Sequence, residues 1–149
     1  MENPNQKIID KLNHFIAIAE DGKIGYENAA KDVKDNQMKA IFEKYSKQRS
    51  GYIEELQKQV HHLGSAAEDS GGPVGLLHRV LMDIKSVLTS GDKNAIINAC
   101  ITGEEAAVKH YTDTLEETLF PDNIRAMIQK QLSGIHQALS EIKSNISAE

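Results

Sequence analysis

Residues 65–92 read SAAEDSGGPVGLLHRVLMDIKSVLTSGD, and this stretch decides the fold. Two segments precede it, about residues 5–33 and 36–63, and two follow it, about 92–118 and 121–147. Each repeats apolar residues at helical spacing. Only a few residues separate the members of each pair, so each pair must fold back as an antiparallel hairpin. The connector between the pairs is nearly as long as a helix. It opens on a turn, Ser65 to Pro73, whose Ser70-Gly71-Gly72-Pro73 run cannot be helical. From Val74 to Leu88 the pattern resumes through Leu77, Leu81, Ile84 and Leu88, a short amphipathic helix of about 22 Å. A connector of that reach returns along the bundle, so the second and third helices should point the same way.

The layout predicts an all-α, ferritin-like four-helix bundle of two antiparallel helix pairs, with a short helix in the long crossover between helices two and three. At 149 residues the chain fits one domain, 1–149, large enough to bury a core without disulfides or metal. The formal net charge of −5 argues against nucleic acid or an anionic membrane as partner. The single cysteine, Cys100, excludes an internal disulfide and any multi-cysteine metal site, and suits a reducing compartment. No basic leader precedes a long apolar run, and no stretch nears the roughly 20 apolar residues that span a bilayer. A soluble, cytoplasmic protein is expected.

The first helix carries Ile8, Leu12, Phe15, Ala19, Gly22, Tyr26, Ala30 and Val33 at steps of three or four, with Pro4 near its start. The second presents Met38, Ile41, Tyr45, Tyr52, Leu56, Val60 and Leu63, and Gly64 suits the left-handed stop just beyond. Asp92 is an N-cap candidate for the third, which shows Ile96, Cys100, Ala107, Tyr111 and Leu115. Phe120-Pro121-Asp122 punctuates the step to the fourth, with Ile124, Ile128, Leu132, Ile135, Leu139, Ile142 and Ile146. All four helices hold an interior glycine, among them Gly22, Gly51 and Gly134, each costing about 1 kcal/mol against alanine. Room for a large neighbour is the expected return, with the tyrosines as the neighbours.

Polar residues interrupt these stripes. Arg49 lies between Tyr45 and Tyr52, and Glu104 between Cys100 and Ala107, so both face inward at similar depth on helices that run the same way. A bidentate Arg49–Glu104 pair, helped by tyrosine hydroxyls and the Gln131 amide, would satisfy two groups that are costly to bury alone. The candidate site is thus a metal-free polar plug of Tyr26, Arg49, Tyr52, Glu104, Tyr111 and Gln131. The alternative is that Arg49 escapes to solvent along its aliphatic stem and the tyrosines are ordinary core aromatics.

A carboxylate-bridged di-metal centre takes a glutamate from each of two helices and a Glu-x-x-His pair from each of the others. That motif is absent. The second helix reads Arg49-Ser50-Gly51-Tyr52 and the fourth Gln131-Leu132-Ser133-Gly134 where it would lie. A divergent metal or small-ligand site would have to use Glu20, Glu27, Glu104 and His136, although Glu20 and Glu27 sit at the margin of the buried arc and Asp21 outside it. The histidines offer no ligand set: His61 and His62 diverge, His14 and His78 lie apart, and His110 flanks a stripe, all reading as surface or edge groups. His136 reads as an edge histidine. Cys100 reads as a small buried apolar residue, reactive only if Arg49 lowers its pKa. No cofactor is implied.

The run Asp21-Gly22-Lys23-Ile24-Gly25-Tyr26 with Ala29 and Ala30, then Arg49, Leu63-Gly64, Glu68-Asp69-Ser70-Gly71, His78-Arg79 with Met82-Asp83-Lys85, Gly103-Glu104 and Tyr111 spans nearly the whole chain. In order and spacing it is similar to a bacterial family of ferritin-like four-helix-bundle proteins described as a domain of unknown function. The family pattern has a tryptophan between Arg79 and Met82, where this chain has Val80 and Leu81. The resemblance implies a ferritin-like fold and a stress-related role but no reaction. The reading is a non-catalytic bundle protein, stress-related or interaction-mediating, with a homodimer contact available at Leu76, Leu77, Val80 and Leu81. The alternative is a divergent di-metal or small-ligand binding protein with its site in the bundle centre.

Overall fold

The computed structural model describes residues 4–64 and 92–146. Among them are four helices and no strand: α1 (Gln6–Asp32), α2 (Asn36–His62), α3 (Lys93–Glu117) and α4 (Asp122–Ser144). The crossover helix expected over 74–88, the turn before it and the apolar cluster from Leu76 to Leu81 lie outside the described residues.

Local chemistry sets the helix ends. Asp35 caps α2 by accepting the Met38 backbone N–H at 2.9 Å, and Asp92 caps α3 by accepting that of Ala95 at 3.2 Å. Gly64, at φ 91°, turns the chain out of α2 in the left-handed conformation that costs a glycine least. Pro121 directly precedes α4, and Arg125 Nη2 donates to the Thr118 carbonyl across the α3–α4 turn. Ile146, assigned to the fourth stripe, falls beyond the end of α4 and is exposed.

Side-chain partners give the helix directions. Between α1 and α2, Gly22 faces Arg49, Ser46 Oγ donates to the Lys23 carbonyl, and the ring of Tyr26 packs on those of Tyr45 and Phe42. Residue numbers fall on one helix as they rise on the other, so the pair is antiparallel. The same opposition relates α3 to α4, through Tyr111 with Gln131 and Glu105 with Lys143. Between α2 and α3 the numbers rise together, Asp35 meeting Lys93 and Arg49 meeting Glu104. These two helices run in the same direction.

The core is two apolar clusters. One gathers Leu12, Phe15, Ile53, Leu56, Tyr111 and Ile128, the other Tyr26, Met38, Phe42, Ile96, Ile97 and Ile142. Full burial of each large apolar side chain contributes about 1.5–3 kcal/mol. Phe42 and Ile53, outside the stripe read for α2, are buried because each helix packs against more than one neighbour and so covers a wider arc than a single stripe.

Candidate functional site: a polar layer between the two apolar clusters

Arg49 and Glu104 sit between those clusters and are 2% and 3% exposed. Arg49 Nη1 donates to Glu104 Oε1 at 2.7 Å and Nη2 donates to Oε2, a bidentate pairing of planar groups. The Tyr26 hydroxyl donates to the same Oε2 at 2.7 Å, and the guanidinium carbon lies 5.5 Å from the Tyr26 ring centroid. Arg49 Nε donates to Gln48 Oε1 at 3.2 Å. Three of the roughly four acceptor positions of Glu104 are therefore filled by Arg49 and Tyr26.

The charges follow from this geometry. Burial opposes the charged guanidinium, but the charge of Glu104 and its hydrogen bonds outweigh that cost and hold Arg49 above its ordinary pKa. Burial, reinforced by the Glu104 charge, pushes Tyr26 well above its usual value, so its hydroxyl remains a neutral donor. Burial pushes the Cys100 thiol up to about 12, with Glu104 acting in the same sense. Arg49 does oppose this, as expected of the nearest cation, but too weakly to make the thiol reactive.

Gly22 makes the layer sterically possible. A Cβ there would lie 2.8 Å from Arg49 Nη1, so its large neighbour is the guanidinium and not a tyrosine. At Gly134 the neighbour is a tyrosine: a Cβ there would collide with the Tyr52 hydroxyl. Gly51 has open space around it.

The six residues read together from the sequence divide into two groups. Tyr26, Arg49 and Glu104 form the buried triad. The Tyr111 hydroxyl donates to Gln131 Oε1 at 2.8 Å, and Gln131 Nε2 reaches the Tyr52 carbonyl at 3.4 Å and Glu55 Oε1 at 3.3 Å. Gln131 is thus bonded to Tyr111 rather than to the ion pair, and Tyr52 joins through its backbone while its ring points to α4. Of the alternative metal set, only Glu104 occupies the centre; Glu27 and His136 are exposed and Glu20 is half-buried. Asp21, placed outside the buried arc by its phase, is buried. Among the described residues no three His, Cys, Asp or Glu side chains cluster so as to hold a metal.

A di-metal centre does not fit the residues present here. Its bridging carboxylate would be Glu104, already engaged, and the neighbouring fixed charge is a guanidinium that repels cations.

Sequence reasoning missed two features. Gln48, adjacent to Arg49, lies off the apolar stripe, so nothing in the spacing marks it as a partner of the guanidinium. His14 and His110, read as separate, have ring centroids 5.6 Å apart. Their signal was present, since each directly precedes an aromatic of the Phe15–Tyr111 ring pair, but it requires the α1–α3 register. No helix among the described residues is long and apolar enough to cross a membrane.

A family model described as a domain of unknown function (DUF2383) matches residues 7–117, which carry α1 to α3 and with them Tyr26, Arg49 and Glu104. A search of curated proteins finds no match to the chain. Since the matched residues make up most of the chain, the protein belongs to the DUF2383 domain family.

Proposed function

We propose that this chain is a ferritin-like bundle protein of bacterial, cytoplasmic type that acts without catalysis, through its surface, in stress or partner interaction, with an ion pair at its centre in place of a metal. The shared direction of α2 and α3 supports the ferritin-like arrangement, because an up-down-up-down bundle would oppose them. The observation that carries the reading is the engagement of Glu104 by both Arg49 and Tyr26. A carboxylate so bound, beside a guanidinium held charged, serves as structural counter-ion rather than as ligand or proton shuttle. Nothing in this triad is poised for acid–base work, for the tyrosine is held neutral and the arginine charged.

Expression in iron- and manganese-supplemented medium, followed by purification without a histidine tag, tests this. Iron and manganese should remain far below one equivalent per chain, with no exchange-coupled signal in Mössbauer or electron paramagnetic resonance spectra. An oxo-bridged metal pair in freshly isolated protein would overturn the proposal.

A further inference from the structure

The seam between α1 and α3 holds a second group of titratable side chains, apart from the polar layer. There the rings of Phe15 and Tyr111 pack with centroids 4.4 Å apart, and the same register sets His14 against His110. The two imidazoles meet edge to face, 5.6 Å between centroids at an interplanar angle of 65°. His110 Nε2 is shut off from solvent and has no hydrogen-bond partner among the described residues. A protonated imidazole donates from both nitrogens, so a proton on His110 would leave a buried N–H without an acceptor. A proton on both rings would set two positive charges side by side. The seam is built for neutral rings.

The charged groups around the pair do not relieve this. The groove in front of it is lined from α1 by Lys7, Asp10 and Lys11 and from α3 by Asp113 and Glu117, with no residue of α2 or α4 in the described lining. Asp10 accepts from Gln6 Nε2 at 2.8 Å and Asp113 pairs with Lys109 at 2.9 Å, so two of these three carboxylates are engaged within their own helices. Burial first, then the adjacent His110 and then Lys11 hold His14 below its ordinary pKa of 6.5. A histidine so depressed stabilises the fold fully above its unfolded value, and that contribution is lost as pH falls through the folded value.

We propose that the His14–His110 contact is a proton-sensitive latch between the two helical hairpins: neutral, it lets α1 and α3 close over Phe15 and Tyr111, and protonated, it loosens them at this level of the bundle. Coulomb's law sets the least size of the effect. Two unit charges at the observed spacing repel enough to raise the opening equilibrium about threefold even at the dielectric constant of bulk water, and by more where the rings are half-buried. The exposed His61, His62 and His136 have no such contact, so their protonation drives nothing apart. This inference is independent of the ion pair at the bundle centre.

The test is amide hydrogen exchange near pH 7.5 and near pH 5.5, corrected for the pH dependence of intrinsic exchange. In the unaltered protein the opening equilibrium of amides in residues 11–18 and 107–114 should rise by about threefold or more at the lower pH. His14→Gln and His110→Gln each leave a single ring to titrate and should each cut that rise to below about twofold, whereas His61→Gln should retain it in full. Proton NMR of the unaltered protein adds a measurement that needs no variant: the His14 imidazole should titrate below pH 6.5. No rise in the unaltered protein, a rise that survives in both single variants, one abolished by His61→Gln, or a His14 midpoint at or above 6.5 would each overturn the latch.

Discussion

Two triads, each of a cation, a tyrosine and a glutamate, join the first hairpin to the second. In the bundle centre Arg49 and Tyr26 converge on Glu104, and near the surface Lys44 and Tyr45 converge on Glu141, Lys44 Nζ at 2.7 Å. The Tyr26 and Tyr45 rings are themselves neighbours, 5.8 Å between centroids. Exposure separates the two: the inner ion pair is 2% and 3% exposed, the outer 57% and 35%. Water can replace either partner of the outer pair, whereas loss of one inner partner strands a charge where water cannot follow. A cation–tyrosine–carboxylate arrangement is therefore decisive where it is bidentate and buried, and marginal where it is a single exposed contact.

The largest effect expected from breaking this comparison is at Glu104. Glu104→Ala should destabilise by about 3 kcal/mol, read by urea unfolding, because Arg49 is left charged and unpaired. The double variant Arg49→Met with Glu104→Leu should recover most of that, since apolar groups of similar volume remove both charges. A single-variant cost below about 0.5 kcal/mol would show that the inner pair behaves like a surface pair.

The inner half of this contrast was legible in the sequence. The helices and several of their limits followed from apolar spacing together with Asp92, Gly64 and Pro121, all of which act on their own neighbours in the chain. The inward phase of Arg49 and Glu104 was equally local, since each interrupts a stripe at the stripe's own spacing. What escaped depends on how helices meet. Phe42, Ile53 and Asp21 are buried because α1 and α2 each cover more than one stripe, and no single helix reveals the position of its second neighbour. The Gly22–Arg49 and Gly134–Tyr52 contacts, the turn of Gln131 toward Tyr111, and the His14–His110 pair all depend on inter-helix register, which is settled by packing of the whole bundle.

Glycines sharpen the comparison at an intermediate magnitude. Gly22→Ala places a methyl against Arg49 Nη1, and although that atom ends a flexible side chain, its bonds to Glu104 prevent it from retreating freely. The expected cost is about 1–2 kcal/mol from overpacking, net of the helical gain from alanine. Gly51→Ala, at an exposed position with open space, should instead stabilise by about 0.5–1 kcal/mol. In the Arg49→Met, Glu104→Leu background the Gly22→Ala cost should fall. An unchanged cost would mean that the guanidinium is not what Gly22 accommodates.

The smallest effect belongs to the outer triad, and it is best read through pH. Hydrogen bonds from Lys44 and then Tyr45 hold the Glu141 carboxyl below its ordinary pKa. A carboxylate with a depressed folded-state pKa stabilises the fold fully above its unfolded value of about 4.3, and that contribution fades as pH falls through the folded value. The groups are largely exposed, so solvent screening limits the contribution to about 0–1 kcal/mol. Glu141→Gln should therefore be less stable than the unaltered protein by at most that amount near neutrality, and the two should converge in acid as the carboxyl of the latter protonates. Urea midpoints taken across that pH range check both the size and the direction. A gap as large as that of Glu104→Ala, or one that widens in acid, would show that exposure is not what distinguishes the two triads.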